Sequence, residues 1–120
     1  MAKAWIEARL QWLVALFPVD GVTCSVMSNH HHVIVRMRPD LLTALSDEQI
    51  VRRWFQALPK GKRLDEHWVP RNPDEAEVAE TLQDPEWVAT LRSRMGSVSW
   101  LMACLNEYIA RRANDEDGIT

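Results

Sequence analysis

Only two stretches of this chain alternate in the manner of β-strands, and they are neighbours. From 22 to 27, Val22, Cys24 and Val26 alternate with Thr23, Ser25 and Met27. From 30 to 37 the run HHHVIVRM has β-branched Val33, Ile34 and Val35 at its centre. The polar Ser28-Asn29 connection is short enough to make the two an antiparallel hairpin over 21–37. Pro39 closes the second strand, because a proline cannot donate to the ladder. A hairpin alone is marginal in water and needs a third strand or helical cover. An α+β domain follows, with helices over one sheet face and open strand edges that further strands or a second copy would fill.

The helices announce themselves by period and caps. In segment 1–17, Ile6, Leu10, Leu13 and Phe17 repeat at intervals of four and three, widened by Trp5, Trp12 and Leu16. Pro18 and then Asp20-Gly21 are expected to stop it and turn the chain. Segment 46–58 opens on Ser46 with Gln49 three residues on, the capping-box order. Its apolar face is Ile50, Val51, Trp54, Phe55 and Leu58, and Pro59-Lys60-Gly61 ends it. Residues 59–83 read as a loop-rich insertion, with room for a short acidic helix from Asp74 to Leu82. Segment 84–113 is predicted as two helices. Asp84-Pro85-Glu86 caps the first, whose stripe is Trp87, Val88, Leu91 and Met95, and Gly96 ends it. The second turns Trp100, Leu101, Cys104, Leu105, Tyr108 and Ile109 inward. Arg111 and Arg112 fall in its final turns, where cations suit the helix dipole.

A length of 120 residues fits one domain, and six tryptophans supply ample area for a core. No apolar run approaches the roughly 18–20 residues of a membrane span. Lys3, Glu7 and Arg9 rule against a secretory leader. Cys24 and Cys104 lack metal-type spacing and read as buried thiols, which fits a reducing cytoplasm. The net charge of −3 weighs mildly against nucleic acid as the dominant partner. The local basic pairs, taken singly, read as solvated helix faces.

His30 and His32 stand two apart on the second strand, so both imidazoles project from one face. That arrangement suits a shared divalent ion, with a third donor from another element. His31 points to the other face with Val33 and Val35, where it packs. His67, in the loop beside Trp68, is left unassigned.

The core VMSNHHHVIV (26–35) resembles the signature strand of HUH-type tyrosine transposases, of the kind associated with repetitive extragenic palindromes. Met27, Asn29, His30 and His32 match its Met-x-Asn turn and histidine pair; His31 departs from the usual hydrophobic residue. A second stretch, SWLMACLNEYIARRANDEDG (99–118), resembles the helix that precedes the family's last strand. The resemblance implies a ferredoxin-like sheet flanked by helices. It also implies that His30, His32 and a third ligand hold Mg²⁺ or Mn²⁺ against a scissile phosphate of single-stranded or hairpin DNA. There the ion is a Lewis acid, and a tyrosine on a later helix attacks phosphorus, giving a 5′-phosphotyrosine and a free 3′ hydroxyl. Arg111 and Arg112 are the candidate DNA contacts.

Two departures accompany the match. The chain starts directly in the helix that a first strand should precede, and it ends before the last strand and the tyrosine helix. The expectation is therefore a partial ferredoxin-like HUH domain lacking its first and last strands, inactive by itself. Tyr108, the only tyrosine, is followed four residues later by Arg112, which has no lone pair for a metal. It also lies on the apolar stripe, so it is read as a core residue and no catalytic residue is assigned. The competing expectation is a non-catalytic module that binds another protein or a second copy, as a homodimer.

Overall fold

The computed structural model describes residues 4–26, 31–58 and 73–116. In chain order they form α1 (Ala4–Leu16), β1 (Val19–Val26), β2 (His31–Met37), α2 (Pro39–Ala44), α3 (Asp47–Ala57), α4 (Glu75–Leu82), α5 (Pro85–Met95) and α6 (Val98–Glu116). This is a small α+β domain in which one antiparallel hairpin packs against several helices. No helix among the described residues is long and apolar enough to cross a membrane.

The caps form as the sequence predicts. The Ser46 hydroxyl accepts from Gln49 N at 3.1 Å while Ser46 N donates to Gln49 Oε1 at 2.8 Å, closing the capping box of α3. Asp74 accepts from Ala76 N at the start of α4, and Asp84 from Trp87 N at the start of α5. Between them, Glu75–Leu82 is helical, the short acidic helix for which the 59–83 segment has room. Residues 59–72, including His67, lie outside the described residues.

Two local features depart from the expectation. Asp20-Gly21 does not turn the chain; β1 starts earlier, at Val19. The register runs Val19↔Met37 and Asp20↔Arg36, slips, and resumes at Thr23↔Ile34, Cys24↔Val33, Ser25↔His32 and Val26↔His31. Gly21, at φ +62°, absorbs the extra residue as a bulge that only a residue without Cβ adopts readily. Pro39, expected only to close a strand, also opens α2, since its fixed φ suits a first helical position.

The core is built by the helices. Leu10, Leu13 and Phe17 meet Ile50, Val51, Trp54 and Phe55 of α3, Val78 of α4, Val88, Leu91 and Met95 of α5, and Leu101, Cys104 and Leu105 of α6. The hairpin lies over this core and lends it Val19, Val33 and Val35. The alternating residues His32, Ile34 and Arg36 are exposed, and Ile34 is 69% accessible. One sheet face is thus covered and the other open, as a two-stranded sheet under helical cover requires.

Several arginines lock helix ends. Arg53 donates to Leu16 O at 3.0 Å at the end of α1. Arg92 donates to Leu42 O and Leu45 O at 2.8 and 2.9 Å at the C-terminal end of α2, and to Asp47 at 2.8 Å. These carbonyls are ones that a helix end leaves unsatisfied. Arg52 grips both oxygens of Glu75 at 2.7 Å, tying α3 to α4.

Candidate functional site

β2 places His32 on the open face of the hairpin, opposite Ser25 and two residues before Ile34. Its side chain is exposed there. His30, its expected partner, lies outside the described residues, as do Met27 and Asn29 of the motif. Among the described residues, no three histidine, cysteine or acidic side chains come together as an ion cage.

Tyr108 sits in a different environment. It is buried at 6% accessibility, and its ring meets Trp5 edge-on at 5.9 Å and 68°. Arg112 donates to the phenol oxygen at 2.7 Å, and the Arg9 guanidinium stands 4.4 Å from the ring centroid. The core role read from the apolar stripe agrees with this packing.

Arg9 is the residue that pattern reading passed over. It is only 6% accessible, held between Trp12 at 4.0 Å and Tyr108 at 4.4 Å. Its Nε is buried with no hydrogen-bond partner. Burial lowers its pKa to about 10, against a smaller opposing effect of Tyr108. The spacing Trp5, Arg9, Trp12 was the available signal, because steps of four and three stack on one helix face. Nearby Cys104 is buried too, which pushes its thiol up to about 12 and keeps it a core residue rather than a nucleophile.

The candidate DNA contacts each have a partner one turn away within α6. Arg111 pairs with Glu107 at 2.6 Å, and Arg112 with Tyr108. Arg111 is exposed and its pair lies in water, so the Glu107 contact restrains it little. Arg94 of α5 is different: it faces the rings of Trp54, Trp87 and Trp100.

At the end of the hairpin, Arg38 binds Asp40 at 2.7 and 2.9 Å and also Asp20, joining β1 to α2. The hydrogen bonds from Arg38 hold the Asp40 carboxyl down at about 2. A hollow of about 120 Å³ lies beside this cluster, lined by Pro18, Met37, Arg38, Pro39, Leu42 and Gly96. It is well below the usual size of a small-molecule site. No protein-family model, curated protein or solved structure matches the chain.

Proposed function

We propose that this chain carries the histidine strand of an HUH-type, metal-dependent transposase domain acting on single-stranded DNA. The observation that carries the reading is the run VMSNHHHVIV, whose described part lies in a hairpin strand with His32 on the open face. His30 and His32 would hold Mg²⁺ or Mn²⁺, and the ion would supply Lewis-acid stabilisation of charge on a phosphate oxygen. The open sheet face gives a DNA strand room to approach His32. The packed helices hold that strand rigid from the other side, as a ligand-bearing element requires.

Tyr108 is not offered as a nucleophile: it is buried, hydrogen-bonded and flanked by two guanidinium groups. The chain by itself is therefore a binding element without cleavage chemistry. The deciding experiment is a Mn²⁺ titration followed by paramagnetic broadening of the histidine ring signals. The reading expects the His32 signals to broaden first, and the His30→Ala, His32→Ala double variant to lose at least tenfold in affinity. Equal affinity in that double variant would sink it.

A second reading, a self-associating module, is favoured by Ile34, a large apolar side chain exposed on the open hairpin face. A second copy docked there would cover it. Light scattering that returns a dimer for the parent chain and a monomer for Ile34→Lys supports this reading; a monomeric parent at high concentration removes it.

A further inference from the structure

Three tryptophans from three helices converge on one cation, Arg94, that has no carboxylate partner among the described residues. Trp54 of α3, Trp87 of α5 and Trp100 of α6 have ring centroids 5.4, 5.1 and 4.3 Å from the Arg94 guanidinium carbon. Trp54 is buried and meets Trp100 edge-on at 5.4 Å, which fixes the floor of the cluster. Trp87, Trp100 and Arg94 itself are only half-buried. Arg92, two residues earlier, is by contrast fully engaged with Asp47 and two carbonyls. Among the described residues no ion pair neutralises Arg94. Aromatic contact uses the π face of a guanidinium and leaves its N–H donors able to bind an anion.

We infer that this cluster is a contact site for single-stranded nucleic acid, with a phosphate on Arg94 and an unpaired base against Trp87 and Trp100. The inference rests on the transposase reading for its choice of ligand, and it adds a binding surface separate from the histidine strand. An unpaired base exposes the π face that an indole takes, whereas bases in a duplex are stacked on one another. An acidic peptide would satisfy Arg94 but would leave the two half-buried indoles without a stacking partner. The cluster is pre-formed: Trp54 and the packed helices hold the rings in place before any ligand arrives, so little ordering is needed on binding.

The probe is an oligothymidylate of about ten nucleotides, within the usual site size of such surfaces. It is titrated into the whole chain without divalent ion, with the tryptophan indole N–H signals followed by NMR. The expected result is a shift of the Trp87 and Trp100 signals, with those of Trp5 and Trp12 unmoved. Arg94→Gln should weaken binding about tenfold, the scale of one lost stacking or charge contact. Arg94→Lys keeps the charge and should retain the fold, yet lose part of the affinity with its planar fork. Absence of indole shifts at saturating oligonucleotide, shifts confined to Trp5 and Trp12, or equal affinity in a folded Arg94→Gln chain would each overturn the proposal. Because no metal is present, the outcome is independent of Mn²⁺ binding at His32. Failure of one leaves the other readable.

Discussion

Arg112 donates a 2.7 Å hydrogen bond to the phenol oxygen of Tyr108, one turn earlier on α6, so the chain's only tyrosine is tied into the helix packing. A nucleophilic phenol must reach phosphorus in line, and this one is covered by Trp5 and Arg9. Incubation with hairpin DNA and Mn²⁺ is expected to give no covalent adduct on a denaturing gel, for the parent chain and for Tyr108→Phe alike. Tyr108→Phe should cost about 0.5–1.5 kcal/mol, one hydrogen bond, and Tyr108→Ala about 3–5 kcal/mol through the cavity left among helices. Urea unfolding measures both.

Arg9 sets a charge against packing. Its contacts to Trp12 and Tyr108 are worth about 2 kcal/mol each when desolvated, while a buried N–H without a partner costs about 1–3 kcal/mol. The folded pKa of about 10 lies below that of the guanidinium in the unfolded chain. Arginine is therefore charged in both states at neutral pH, and the desolvation cost is fully present there. That cost would be relieved only as pH rises above about 10, where the unfolded chain binds the extra proton. Arg9→Met, which keeps the volume and drops the charge, is expected to stay within about 1.5 kcal/mol of the parent. Arg9→Ala should lose about 2 kcal/mol or more, since it removes the stem between the two rings. A denaturant midpoint for Arg9→Met as low as that of Arg9→Ala would contradict this account.

Gly21 and Gly96, the glycines among the described residues, should respond differently. Gly21 sits at φ +62° in the bulge, with Arg36 Cβ 3.7 Å from where a methyl would stand, so space is adequate and the backbone is the obstacle. Gly21→Ala should cost about 1–2 kcal/mol. Gly96 has an ordinary φ of −91°, but an added methyl would meet Leu42 Cδ2 at 2.8 Å. That contact is the tip of a flexible side chain which can turn away, so Gly96→Ala should cost less than Gly21→Ala. Thermal melts of the two variants rank them.

Acid should loosen the hairpin end and the α3–α4 tie before it reaches the core. Asp40 is held at about 2 by Arg38, and Glu75 is lowered by Arg52, so both folded values lie below the unfolded ones. Asp40's contribution is present above its unfolded pKa of 3.8 and is lost as pH falls through about 2, and Glu75's is lost in the same sense as acid protonates it below its ordinary range. In that window the unfolded chain binds the proton and the folded chain does not, so stability rises with pH. Both groups are in water, so the effect is modest and screened by salt. Asp40→Asn should flatten the acid limb of stability against pH. An unchanged limb would show that other carboxylates dominate.

Much of the fold was legible in order along the chain. Ser46 with Gln49, and Asp84 with Pro85, fixed helix starts, because a cap is satisfied within three residues and needs no distant partner. The alternation around Val33 and Val35 placed one strand face inward. Pro39 and Gly21 were harder, since each residue serves more than one local structure. Proline closes a strand or opens a helix, and glycine permits a turn or a bulge. The choice depended on the register between β1 and β2 and on what packs behind them.

The sequence by itself determined most of the elements, their caps, the stripe that becomes the core and the strand face that carries His32, all properties of spacing along one strand or helix. Tertiary structure decided which charges are spent. Arg9 is buried because α6 brings Tyr108 over it, and Arg94 meets three indoles because α3, α5 and α6 converge there. Period and propensity act over a few residues, whereas desolvation and charge pairing depend on groups tens of residues away. Only the packed helices bring those together.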